Sequence, residues 1–184
     1  QRRNHVLRSC GADYYGLMSL TRLECTSPAF AVLSADLLNA GIALRFTAQG
    51  SSMKPMLSPG DILVVKPVNK HQIRIGDIVL CTVSETRVVA HRVISKRTEK
   101  YGLLFLVQGD RVSKPDGWMT EQMVHGRVES AERCGRFIDL LAQPTRLFGI
   151  MQTIKLRCHL SQSGVAKAAG RVIKQLPFFT DYIT

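Results

Sequence analysis

The sequence predicts a mainly β chain: an antiparallel sheet led by one helix and followed by helices. Three observations carry this. Short β-rich runs broken by turn residues fill the stretch from Ile42 to about Glu132. Ahead of them, Ser27-Pro28 opens a segment with apolar residues at helical spacing. Past Gly135 the spacing becomes helical again. A chain of 184 residues that is 45% hydrophobic can bury a real core without covalent staples.

Taken in order, residues 1–26 are basic, mixed and without a period, and are expected to be poorly ordered. Ser27 then serves as N-cap with Pro28 in the first turn. Phe30, Leu33, Leu37 and Leu38 follow, and Gly41 ends the helix. The strand runs are IALRFTA, DILVVKPV, DIVLCTV, RVVAHRVISK, LLFLVQG and MVHGRVES. Alternation of strands and turns at this spacing suits an antiparallel β domain. Two strands open on Gly-Asp, at Gly60-Asp61 and Gly76-Asp77, where Asp reads as a turn residue. The domain is therefore placed at 27–134, with its leading helix, and a basic amphipathic helical tail at 135–184.

In that tail Leu147, Ile150, Met151 and Ile154, then Val165, Ala168, Ala169, Val172, Ile173 and Leu176, recur at helical steps. Arg146, Lys155, Arg157, Lys167, Arg171 and Lys174 accompany them, with no acid between Asp139 and Asp181. Two readings stay open. Either the apolar face packs on the β domain, or the tail (146–174) meets an anionic membrane surface.

The net charge of +11 makes an acidic partner worth considering. Nucleic acid is not expected, because there is one Trp and no clustered aromatic motif for stacking. The five cysteines, Cys10, Cys25, Cys81, Cys134 and Cys158, are odd in number, widely spaced and without a CxxC. That argues against a disulfide framework and a zinc site and favours a reducing compartment. The longest apolar stretch, Ala29 to Leu44, is broken by Asp36 and Asn39 and is too short to span a bilayer. The chain is thus expected in the cytoplasm or at the periphery of a membrane. It opens on Gln1, so its start is expected upstream, or at Met18.

The chemistry concentrates in "GSSMKPMLSPGD", Gly50 to Asp61. A sheet has no need of Ser-Ser-Met there, and a serine becomes a nucleophile only with a base in hydrogen-bond reach. Of the five histidines, His5 and His159 lie in the basic ends, His71 in a polar connection and His125 on a late strand. His91 differs: it sits mid-strand among apolar residues in "VVAHRVIS". On a regular strand Arg92 faces the other way. "QGDRVSKPDGW" adds two carboxylates, Asp110 and Asp116, either of which can orient a base or simply shape a turn.

"GSSMKPMLSPGDILVV" resembles the nucleophile box of the signal peptidase I clan: Ser-Met-x-Pro-x-Leu, then Gly-Asp and an apolar strand. "IRIGDIVL" and "VVAHRVIS" resemble the next two boxes, and "VQGDRVSKPDGW" the last. His91-Arg92-Val93 sides with the endoplasmic-reticulum and archaeal branch, in which a histidine replaces the lysine base. The resemblance covers about Phe46 to Val128. It implies a signal-peptidase-like catalytic core and a serine endopeptidase that cuts precursor proteins or peptides after small residues, with no cofactor. Ser52 is then the nucleophile and His91 the general base. Asp116 is its orienter, with Asp110 as the alternative or as a partner for Arg92. Two departures stand out. Gly50 occupies the position of a serine that often helps to hold the oxyanion, leaving that task to backbone around Gly50, Ser51, Ser52 and Met53. The family's membrane anchor is the second, and it is expected to be absent. Met53 and Met56 also qualify as an apolar rim for substrate or as core. Two other readings are a peptide-binding module of the same fold without chemistry, and a self-cleaving repressor-type domain cutting at Ala40-Gly41.

Overall fold

The computed structural model describes residues 27–84 and 87–162. The expected disorder of residues 1–26 and the apolar positions from Val165 onward lie outside the described residues. Helix α1 spans Ser27–Asn39. Its end is closed by Ile42 N–H donating to the Leu37 carbonyl (2.9 Å) and Gly41 N–H to the Leu38 carbonyl (3.1 Å). Gly41 stands at φ 83°, the left-handed conformation that such a helix stop requires. Ala31, Ser34 and Leu38 form the buried side of α1, and Phe30 meets Phe46 edge-on at 4.9 Å between ring centroids.

The strands are β1 (Leu44–Thr47), β2 (Ile62–Lys66), β3 (Ile78–Ser84), β4 (Arg87–Glu99), β5 (Gly102–Gln108), β6 (Gly117–Thr120), β7 (Val124–Arg133) and β8 (Arg136–Asp139). Helix α2 follows at Gln143–Gln162. The strands form one antiparallel sheet in the order β1-β2-β7-β3-β4-β5-β6, curled into a half-barrel. Strand β8 pairs with the end of β7, continuing the edge along which β3 pairs with its start. The mainly β architecture with a helix before and a helix after the sheet is thus the one the sequence predicts.

Two strands depart from the sequence reading. The segment after Gly135 begins as β8 rather than as helix. Cys134 (φ 49°) and Gly135 (φ 74°) form a two-residue loop between the paired Arg133 and Arg136, and positive φ at both loop residues matches the twist of the flanking strands. Strand β6 comes from "GWMT", which pairs with β5 through Leu104 to Val107.

Alternation divides the core. Ile78 and Leu80 of β3 join Leu38, Met53, Leu57, Leu63, Val65 and Val128 on one side. Val79 and Cys81 join Val93, Phe105, Val107 and Val124 on the other. The pairing of Val79 with His91 and of Ile78 with Arg92 assigns these β4 neighbours to opposite faces. No helix among the described residues is long and apolar enough to cross a membrane.

Candidate active site

Between β1 and β2 the chain makes a compact turn over Ser52 to Leu57. Lys54 N–H donates to the Ser51 carbonyl (3.2 Å) and Leu57 N–H to the Met53 carbonyl (2.9 Å). Met53 and Leu57 sink into the core, 3% and 2% exposed, and anchor the turn between them. This makes Met53 a core residue rather than a rim for substrate. The far end of the loop is pinned by Asp61, whose carboxylate accepts the Ser58 N–H at 2.7 Å. Arg133 donates to both of its oxygens at 2.8 and 2.7 Å and to the Met56 carbonyl at 3.0 Å. The hydrogen bond from Arg133 holds the Asp61 carboxyl below the usual carboxylate range. Asp77, the other Gly-Asp aspartate, accepts the Arg74 N–H at 2.9 Å. Both aspartates shape turns, as expected.

Ser52 is fixed from a second side by the loop after β5. Arg111 N–H donates to the Ser52 carbonyl at 2.8 Å. Gly109 leaves no room for a side chain, since a Cβ there would lie 3.0 Å from the Ser52 Cβ. Gln108, fully buried at the end of β5, donates through Nε2 to the Val112 carbonyl at 2.5 Å and so ties the loop back on itself. Asp116 N–H closes the loop on the Val107 carbonyl at 3.0 Å.

These elements bring three side chains into a line. Ser52 Oγ lies 2.8 Å from His91 Nε2. His91 Nδ1 lies 2.5 Å from Asp116 Oδ2. The imidazole is 3% exposed and the Asp116 side chain 12%. With the Nδ1 proton held by the carboxylate, Nε2 faces Ser52 as an acceptor. On the other face of β4, Arg92 binds Asp110 through Nε and Nη2, both at 2.7 Å, and donates through Nη1 to the Gly76 carbonyl at 2.7 Å. Asp110 therefore engages Arg92, and Asp116 alone of the two touches His91. Helix α2 backs this pair: a Cβ at Gly149 would come within 2.8 Å of Arg92 Nη1.

Gly50 and Ser51 are both exposed beside Ser52, and Gly50 contributes no side-chain donor there. His71 and His125 stand apart from this line. His71 is exposed, and the ring of buried His125 bonds Thr82 Oγ1 at 2.6 Å. Burial, and then the charge of Lys70, pushes His125 below its ordinary value. Cys81 packs behind the site, where burial and the Asp116 charge push its thiol up to about 12, so it stays protonated. Cys81, Cys134 and Cys158 are free thiols.

Sequence reasoning did not single out Gln108, Arg133 or Gly149. The one visible signal was Gln108, a polar residue closing the apolar run "LLFLV" next to a glycine. The Arg133–Asp61 pair spans 72 residues and Gly149 acts by lacking a side chain, so neither leaves a local pattern.

Comparison with curated proteins finds no match. Residues 23–104, a span that holds Ser52 and His91 and ends before Asp110 and Asp116, match the family model described as Peptidase S24-like, and over this stretch the chain is similar to serine-type peptidases.

Proposed function

We propose that this protein is a serine endopeptidase that cuts precursor peptides after small residues, with Ser52 as nucleophile, His91 as general base and Asp116 as orienter. One observation carries the reading: the continuous contact from Ser52 Oγ to His91 Nε2 (2.8 Å) and from His91 Nδ1 to Asp116 (2.5 Å). Ser52 Oγ attacks the scissile carbonyl carbon and passes its proton to Nε2. Asp116 stabilises the imidazolium that forms and keeps the ring in the required tautomer. Nε2 then protonates the leaving amine, and an acyl-enzyme remains on Ser52. Water, deprotonated by the same nitrogen, releases the acid. With Gly50 in place of a hydroxyl donor, backbone N–H groups of the nucleophile turn hold the oxyanion, that of Ser52 first.

The preference for small residues follows from the resemblance of the Ser52 box to that of signal peptidases. Strand β1 ends the sheet and leads into the nucleophile turn. Its outer edge, which pairs with no strand among the described residues, suits an extended peptide that adds a strand and presents its carbonyl to Ser52. Cleavage of a separate chain is favoured over self-cleavage at Ala40-Gly41. That bond sits in the closing turn of α1, with Ala40 N–H bonded to the Asp36 carbonyl at 2.9 Å, and the whole of β1 separates it from Ser52. The in-line contacts also favour an enzyme over a binding module.

The test is a fluorophosphonate probe together with a peptide library read by mass spectrometry. Labelling at Ser52 and cleavage C-terminal to small residues are expected. Ser52→Ala and His91→Ala should each lose on the order of 10⁶-fold in turnover, with no further loss in the double variant. An unlabelled Ser52 in a folded chain would leave the peptide-binding module as the reading.

A further inference from the structure

Helix α2 has two working sides, and the β domain uses only one. Its inner side is Gly149, Thr153 (3% exposed) and Leu156 (6%). Gly149 lies against Arg92 and the Gly76 carbonyl, and Thr153 Oγ1 donates back to the Gly149 carbonyl at 2.9 Å. Its outer side carries Leu147, Ile150, Met151 and Ile154, which are 60%, 46%, 62% and 45% exposed. Their spacing places all four in one stripe along the helix. These four make up half of the exposed large hydrophobic side chains among the described residues. The apolar spacing that marked the helix in the sequence thus belongs mainly to its solvent side.

Charge indicates what covers the stripe. Lys155 is exposed beside it and Arg157 borders it from the other flank. No Asp or Glu occurs in Gln143–Gln162, and none follows before Asp181, while Lys167, Arg171 and Lys174 do. A second copy of the chain would bring the same basic flanks to the contact, and the basic residues 163–180 would do likewise. Both arrangements crowd like charges around the apolar surface. Nucleic acid would pair with the lysine and arginines but has no use for four aliphatic or thioether side chains in a row. A surface of anionic lipid satisfies both halves, with acyl chains against the stripe and phosphate groups against the basic rim. We infer that the outer face of α2 docks this protein in the plane of an anionic membrane.

The test uses the full chain in flotation assays with phosphatidylglycerol–phosphatidylcholine vesicles and with pure phosphatidylcholine vesicles. Binding is expected to the anionic vesicles at low salt and to fall steeply as salt rises. Leu147→Gln combined with Met151→Gln should weaken partitioning about tenfold or more, because apolar area no longer enters the lipid. Lys155→Gln combined with Arg157→Gln should weaken it about tenfold on anionic vesicles. The stripe substitutions lie on an exposed face, so unchanged thermal melting and unchanged probe labelling will show the fold intact. The inference is overturned by absence of vesicle binding, by equal binding to neutral vesicles, or by binding that ignores the stripe substitutions. A dimer in analytical ultracentrifugation that Leu147→Gln/Met151→Gln dissolves would also overturn it, by assigning the stripe to a second copy. Vesicle binding is read without peptide cleavage, so this outcome and that of the proposed activity are independent.

Discussion

His91 and Arg92 are neighbours on β4, and each is paired to an aspartate of the same loop. Their settings differ in the way expected if His91 does the chemistry proposed above and Arg92 supports it. The His91 ring contacts Ser52 and an Asp116 carboxylate that retains 12% exposure, and Ser52 itself is half-buried at the surface. Arg92 and Asp110 are 2% and 0% exposed, matched fork to carboxylate, with the third guanidinium nitrogen on a backbone carbonyl. A group that must gain and lose a proton needs a partner that can tolerate both states and a path to substrate. A guanidinium, which stays charged, does best when sealed and fully bonded. Period-two alternation on a single strand delivers both, and one loop of β5 supplies both carboxylates.

That contrast can be broken at either end. The largest expected effect is at Asp116. Asp116→Asn should lower turnover by about 10⁴-fold, through the wrong imidazole tautomer, while the melting temperature changes little. Asp110→Asn should lower it less and act through stability. Steady-state assays beside thermal melts read both quantities, and the reverse order of turnover losses would transfer the orienting role to Asp110.

The next effect is on folding. Arg92→Met leaves Asp110 buried without its partner and should cost about 3–5 kcal/mol in denaturant unfolding. Arg92→Met with Asp110→Leu removes both charges and should cost clearly less than the two single changes added together. Simple additivity would mean that the two groups do not depend on each other.

The smallest effect is at the rear of the loop that carries Ser52. Asp61→Asn should destabilise the chain by about 1.5–3 kcal/mol at neutral pH, the loss of hydrogen bonds to a charged group. Arg133 holds the folded-state value of Asp61 down, so its contribution is present above the unfolded carboxylate value of about 3.9 and is lost as pH falls through the lower folded value. The stability gap between parent and variant should therefore close in the acid range. A gap independent of pH would mean that ionisation of Asp61 contributes nothing to the loop.

The reach of sequence reasoning follows from how each feature is encoded. Strands β2, β3, β4, β5 and β7 announce themselves by runs such as "ILVV" and "IVLCTV". Strand β6 carries the mixed "GWMT" directly after Pro115-Asp116, and β8 is the four-residue "RFID", so neither is long enough to show a period. The contact between Ser52 and His91 was legible because motif and strand context agree. The choice between Asp110 and Asp116 was not legible from the turn itself, since it depends on which face of β4 each loop residue reaches. The orientation of α2 was hidden for a different reason. Its buried contact rests on Gly149 against a guanidinium and a carbonyl, with Thr153 and Leu156 buried beside it, so the side that packs is not the more apolar side.

The absent side chain at position 149 links positions that are far apart in the chain. A Cβ there would meet Arg92 at 2.8 Å and the Gly76 carbonyl at 3.0 Å. Among related sequences, positions 92, 110 and 149 should therefore change together. Where arginine is kept at 92, residue 149 is confined to glycine. Where 92 shortens, the nearer of the two contacts is relieved and Asp110 loses the reason for its charge, while the Gly76 carbonyl still limits growth at 149. Covariation across such sequences would register the seat of the helix, although neither glycine carries any chemistry of its own.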